Sequence, residues 1–232
     1  MSNIYGANVN TMILALAATQ IELEPFLLQW PGKSPSCLTL ITGVGPMETT
    51  LRLSKFLCQT EQRIEAAVNF GIGGAYQQPG GSPQPELLDI CLAEQEVVGD
   101  LGICLQDGVE YLDGSLTGDI VFPMDSGLLS LGKEILTEGG GTSCFSGVFV
   151  TVNAASATQR RGEMLRSRWQ GLCENMEGAA VARVCLEFAV PCLELRAISN
   201  YVEDRKRENW RLREACLQAA ESAALIIKGM SV

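Results

Sequence analysis

Apolar runs of strand length alternate along this chain with stretches whose apolar residues recur at helical spacing, and that alternation restricts the fold more than any other feature. Thr11 to Thr19, Cys37 to Thr42, Ala66 to Phe70, Leu87 to Val98 (bent at Glu94), Phe145 to Val152 and Cys192 to Ile198 read as buried strands. Between them, a loop holding Glu22 and Glu24 leads to a short helix through Phe26, Leu27 and Leu28. Pro46 is suited to the first position of a helix whose Leu51, Leu53, Phe56 and Leu57 share one face. Ser126 to Leu136 reads as helical, with Gly139-Gly140-Gly141 closing it, and Asn153 or Ser156 is placed to cap a helix carrying Arg160 and Arg161. A last helix from about Trp210 to Lys228 puts Leu212, Ala215, Cys216, Ala219, Ala223 and Ile226 on one side. Residues 1–10 are polar and lie outside this pattern. Strands alternating with helices define an α/β domain of three layers, and 232 residues suffice for one such domain, 1–232.

Composition narrows the chemistry. The chain contains no histidine, which removes Ser-His and Cys-His catalysis and most zinc sites; no metal and no cofactor is expected. A net charge of -10 disfavours nucleic acid and anionic membrane as partners. Nine cysteines, an odd number without metal-type spacing, point to reduced thiols and a cytoplasmic protein. Met12 to Ala18 has no preceding Lys or Arg and runs into Gln20-Ile21-Glu22, so it reads as a first buried strand, not a signal peptide. No stretch approaches the roughly 20 apolar residues of a membrane span.

The chemistry is concentrated between Glu174 and Asn200. Glu177 opens a helix of small residues (Gly178, Ala179, Ala180, Ala182), and the apolar run from Cys192 ends in Asn200, where strand gives way to loop. In α/β sheets ligands collect beyond the carboxyl ends of strands, so Glu177 and Asn200 are candidates for one pocket. On the residues alone, Glu177 can also be read as a helix-start acid satisfied by the helix dipole, but its place between Met176 and a Gly-Ala-Ala run favours a functional side chain. Asn200 is equally a turn asparagine, and Glu174 reads as solvated charge.

Met176-Glu177 at the head of a helix, followed after a short strand by Arg196-Ala197-Ile198-Ser199-Asn200, resembles the nucleoside phosphorylase and nucleosidase superfamily. The run from Arg196 to Trp210 is most similar to a branch that hydrolyses futalosine on one route to menaquinone. The resemblance implies a central mixed, partly barrel-like sheet flanked by helices, a small nucleoside as substrate, and a homo-oligomer. It implies that Glu177 holds ribose hydroxyls with Met176 packed on the sugar. It also aligns Ala18-Thr19-Gln20-Ile21-Glu22 with the segment that supplies the water-activating base, Glu22, with Glu24 as the alternative. Apolar residues of 145–156 are expected to stack on the purine.

Two positions separate activities within that superfamily. Adenine-directed members carry Asp where this chain has Asn200. An amide can donate to O6 of a 6-oxopurine and accept from a protonated N7, which favours hypoxanthine over the adenine of a methylthioadenosine-type nucleosidase. Phosphorylases hold phosphate with a Ser where this chain has Ile72, leaving only the backbone amides of Gly73 and Gly74, so water is the expected nucleophile. The substrate-binding set is therefore Gly73, Met176 and Glu177, with Glu22 and Asn200 catalytic. A phosphate-dependent phosphorylase and a non-catalytic nucleoside-binding relative are the remaining alternatives. The basic segment Arg205-Lys206-Arg207, with Arg211 and Arg213, is either a solvated face or a partner for the carboxylate of futalosine.

Overall fold

Strand β1 (Thr11–Ala17) is buried on both faces, as its unbroken apolar sequence requires: Ile13, Ala15 and Ala17 enter one core, Leu14 and Leu16 the other. The computed structural model describes residues 11–30, 37–81, 83–106, 108–140, 144–205 and 207–230. The polar leading stretch 1–10, Gly141 and Lys206, singled out above, lie outside them. After β1 come α1 (Gln20–Gln29), β2 (Cys37–Ile41), α2 (Pro46–Gln59), β3 (Arg63–Ala75) and β4 (Ile90–Val98). The middle of the chain adds a hairpin, β5 (Gly102–Leu105) and β6 (Gly108–Tyr111), then α3 (Gly114–Thr117), β7 (Val121–Pro123), α4 (Ser126–Gly140) and β8 (Cys144–Thr151). The last third runs α5 (Gln159–Trp169), β9 (Gly171–Asn175), α6 (Gly178–Glu187), β10 (Cys192–Tyr201) and α7 (Leu212–Met230).

The sheet is mixed and partly closed. The order β10-β4-β8-β9-β3-β1-β2 returns on itself because β10 also pairs with β3, so β3, β10, β4, β8 and β9 form a ring from which β1 and β2 extend. The 13 residues of β3 make this possible, since one strand pairs with β1, β10 and β9 at once. Helices α1, α4 and α7 pack on one side, around Phe26, Phe70, Leu195 and Ala219, and α2 and α6 on the other, around Leu53, Phe149 and Val181. The expected three-layer α/β arrangement with a barrel-like sheet is the one observed.

Several local expectations are corrected. Glu22 lies in the first turn of α1, not in a loop: Thr19 caps the helix and forms a capping box with Glu22. The glycines at 71, 73 and 74 lie inside β3, and β10 continues through Asn200 to Tyr201 instead of ending before it. The cap of α5 is Thr158, not Asn153 or Ser156, and α4 continues to Gly140. Leu51 faces solvent, 61% exposed, so the buried face of α2 centres on Leu53. The bend at Glu94 is present as a register shift between Ala93 and Gln95 against β8. β9 was not expected; its sequence, Gly171-Leu172-Cys173-Glu174-Asn175, is too short and polar to carry a strand period.

Candidate active site

A cavity of about 430 Å³ opens where the ends of β1, β3, β9 and β10 meet the starts of α1, α6 and α7. Its wall includes Glu22, Gly73, Met176, Glu177 and Asn200, so all five residues selected from the sequence share one cavity. Glu24, the alternative to Glu22, is exposed and outside it.

Glu22 is held in place from two directions. Its Oε2 accepts the Thr19 N–H at 3.1 Å and the Thr19 hydroxyl at 2.7 Å, and its Oε1 accepts the Ile72 N–H at 3.1 Å. A carboxylate offers roughly four acceptor positions, so one remains for a water in the cavity. Gly71 permits this placement: a Cβ there would lie 2.5 Å from Glu22 Oε1 and 3.0 Å from Arg196 Nη1.

Glu177 stands at the N-cap of α6 but does not cap it. That task falls to others: Asn175 Oδ1 accepts the N–H groups of Glu177 (2.9 Å) and Gly178 (2.8 Å), and Thr151 Oγ1 accepts that of Ala179 (2.8 Å). The Glu177 carboxylate is thereby released toward the cavity, where Oε1 accepts the Gly45 N–H at 3.2 Å and Oε2 meets Arg196 Nη1 at 3.3 Å. Burial raises its pKa above the ordinary value, while Arg196 and the Gly45 N–H oppose that rise.

Arg196, the first residue of the Arg-Ala-Ile-Ser-Asn motif, is a site residue that the sequence pattern does not assign. It is buried beneath the cavity, donating from Nε to Glu194 Oε1 at 2.9 Å as well as to Glu177. Burial works against its charge, but Glu194, then Glu177 and Glu22, outweigh that and hold the guanidinium firmly charged. The sequence did contain a signal: Glu194 and Arg196 occupy alternate positions of an apolar strand, hence one face, and buried charges must be paired. Below them Glu96 is buried, with Asn175 Nδ2 2.5 Å from Oε1 and the Thr151 hydroxyl 2.7 Å from Oε2. Burial first, and Glu194 next, raise its pKa well above the ordinary carboxyl value.

Glu174 is not solvated charge. It is 6% exposed and accepts the Ser156 N–H (2.7 Å), the Ser156 hydroxyl (2.6 Å) and the Tyr76 hydroxyl (2.9 Å), which fixes the segment after β8 against the cavity. From that segment only the small residues Ala155 and Ser156 line the cavity. Phe149, Val150 and Val152 are spent on the core, which leaves Ala155 as the apolar side chain of 145–156 on the cavity wall.

Asn200 uses half of its hydrogen-bonding capacity internally: Oδ1 accepts the Ser199 hydroxyl at 2.8 Å and Nδ2 donates to the Tyr201 carbonyl at 3.0 Å. One donor and one acceptor are left. In the basic segment, Arg205 lies over the Trp210 ring at 5.1 Å and Arg211 pairs with Glu214 at 2.8 Å; Arg213 alone of these lines the cavity. Among the described residues no group of three or more His, Cys, Asp or Glu side chains is arranged to hold a metal ion.

One cavity thus brings together two buried carboxylates, Glu22 and Glu177, and the side-chain amide of Asn200. The chain belongs to the phosphorylase superfamily, whose family model matches residues 33–230. It is 35% identical over 220 residues to the futalosine hydrolase of Thermus thermophilus, covering 91% of each chain. It is 26% identical over 201 residues to the 5'-methylthioadenosine/S-adenosylhomocysteine nucleosidase of Geobacillus kaustophilus, covering 83% of this chain and 78% of that one. A crystal structure of a Helicobacter pylori MTAN mutant with 5'-methylthioadenosine in its active site shares the fold, with a TM-score of 0.81 at 20% identity over 94% of this chain and 98% of the other.

Proposed function

We propose that this protein hydrolyses the N-glycosidic bond of futalosine and releases hypoxanthine, as a step in menaquinone synthesis. The observation that carries the reading is Asn200 in one cavity with Glu22 and Glu177, with one amide donor and one acceptor unspent. Glu22 takes a proton from water, the water oxygen bonds to C1′, and the C1′–N9 bond breaks with its electron pair going to the purine. The base takes up a proton from solvent at N7, which donates to Asn200 Oδ1 while Nδ2 donates to O6, and Glu22 returns its own proton to solvent. Positive charge developing on the ribose is met by Glu177, which accepts from the ribose hydroxyls while Met176 packs on the sugar.

Competing activities fit less well. The greater identity to a futalosine hydrolase than to an adenine-releasing nucleosidase runs in the same direction as the amide at position 200. Against a phosphorylase, Ile72 offers no side-chain donor, and its N–H is committed to Glu22. Of the two arginines that line the cavity among the described residues, Arg196 is the one beside Glu177, and it is engaged by Glu177 and Glu194. We place the protein in the cytoplasm as a homo-oligomer; the exposed apolar side chains Val44, Met47 and Leu51 (53%, 84% and 61%) support the oligomer, and Val44 also lines the cavity. No helix among the described residues is long and apolar enough to cross a membrane.

The test is to incubate purified protein with futalosine, aminofutalosine, inosine and methylthioadenosine, each with and without phosphate, and identify the base. Hypoxanthine should leave futalosine fastest, at a rate indifferent to phosphate. Adenine released faster than hypoxanthine, or turnover that requires phosphate, would overturn the assignment.

A further inference from the structure

The first turn of α7 contains Arg213 and Glu214, preceded by Arg211, although a helix start disfavours cations. Arg211 and Glu214 neutralise one another through the Nε–Oε1 bond of 2.8 Å. The Arg213 side chain makes no hydrogen bond or ion pair to another described residue, although its charge, with that of Arg211, acts on Glu214. Nor is it turned to open solvent alone. With Trp210 and Leu212 it forms a wall of the reaction cavity, and the same three residues bound a second cavity of about 550 Å³, completed by Arg205 and Glu214. The reaction cavity therefore shares this wall with a shelf that, among the described residues, holds two guanidinium groups and one carboxylate that is already paired. On a chain of net charge -10, which repels anions in general, this is a local exception.

We propose that the shelf is a subsite for a carboxylate carried on the 5′ side of the nucleoside, and that Arg213 is its partner. The inference rests on the nucleosidase reading of the cavity. With the base at Asn200 and the ribose hydroxyls at Glu177, C5′ is the remaining point of attachment. The wall that leads from there to Arg213 includes Ile21, Val44, Trp210 and Leu212. A ligand matched to that path has an apolar or aromatic tail with its charge only at the end. A planar guanidinium receives a carboxylate through two parallel bonds. Arg205, spread over the Trp210 ring, adds positive charge beside the same position.

The experiment compares wild type, Arg213→Gln and Arg213→Lys on futalosine, whose tail ends in a carboxyphenyl group, and on inosine, which has no tail. Arg213→Gln should lower the ratio of kcat/KM for futalosine over inosine by about tenfold, chiefly through KM, and Arg213→Lys should restore part of it. The methyl ester of futalosine should show no such change in ratio. An unchanged ratio for futalosine itself would overturn the proposal. Calorimetric binding to the Glu22→Gln protein, with and without Arg213→Gln, reads the subsite without turnover. A futalosine-over-inosine affinity gap that depends on Arg213 would uphold the subsite even if wild type cleaved neither nucleoside, which would sink the nucleosidase reading alone. Absence of that gap would sink the subsite whatever the turnover. Inosine 5′-monophosphate losing more affinity than futalosine in Arg213→Gln would overturn the carboxylate assignment.

Discussion

Glu22 is bonded to Thr19 by both the backbone N–H and the hydroxyl, at 3.1 and 2.7 Å on the same carboxylate oxygen, so one side chain closes the start of α1 and faces the reaction cavity. The two roles can be separated. Glutamine also completes a capping box, so Glu22→Gln should keep stability within about 1 kcal/mol of wild type. Its kcat should fall by roughly 10²–10⁴, the range for losing a general base. Thermal unfolding beside steady-state kinetics checks both; a drop in activity accompanied by an equal loss of fold would remove Glu22 from the chemistry.

Base choice is expected to follow residue 200. Asn200→Asp keeps the acceptor for the Ser199 hydroxyl but loses the amide donor that the proposed function assigns to O6. The ratio of hypoxanthine to adenine release, measured on futalosine and aminofutalosine, should fall by at least about tenfold, because a 6-oxopurine would leave the carboxylate facing an acceptor. An unaltered ratio would mean that the base is read elsewhere.

The buried carboxyl of Glu96 gives a stability profile with a definite sign. Burial, then the neighbouring charge of Glu194, holds its pKa well above the ordinary 4.5 in the fold, whereas the unfolded chain ionises it near that value. Below about pH 4.5 both states are protonated and the group costs nothing. As pH rises from there toward the folded pKa, only the unfolded state releases its proton, and stability falls. Glu96→Gln is neutral at every pH, so its Tm should decline less than that of wild type over the same range. Each 1 kcal/mol of penalty removed should raise Tm at pH 8 by about 2–4 °C. Parallel Tm–pH curves for the two proteins would show Glu96 ionised in the fold.

Gly178 is fixed by the same cluster. A Cβ at this position would overlap the carboxyl oxygens of both Glu96 and Glu194. Gly178→Ala should therefore cost about 3 kcal/mol, a Tm loss of roughly 6–12 °C, as overpacking in a rigid interior does. Gly114→Ala, where nothing lies within 4 Å of the new Cβ, serves as the control and should change stability by less than about 0.5 kcal/mol. Equal effects at the two positions would contradict the packing described for the start of α6.

Local pattern determined much of this protein. The apolar runs of β1, β2 and β10, Pro46 at the start of α2, and Glu177 at the head of α6 all follow from spacing and from residue types with narrow conformational preferences. The capping box of Thr19 and Glu22 was also legible, as a Thr followed three residues later by Glu, and reading it would have moved Glu22 from loop to helix. What the sequence left open depends on neighbours distant along the chain. Whether Glu177 caps its helix or turns to the cavity is decided by Asn175 and Thr151, which satisfy the first N–H groups in its place. Glu174 becomes a buried brace only because Tyr76 and Ser156 arrive beside it. Arg196 and the carboxylates around it are drawn together by the closure of β3, β10, β4, β8 and β9 into a ring. A charge in a strand carries no information about its partner; the partner is fixed by sheet register, and register is set by the burial of the whole domain.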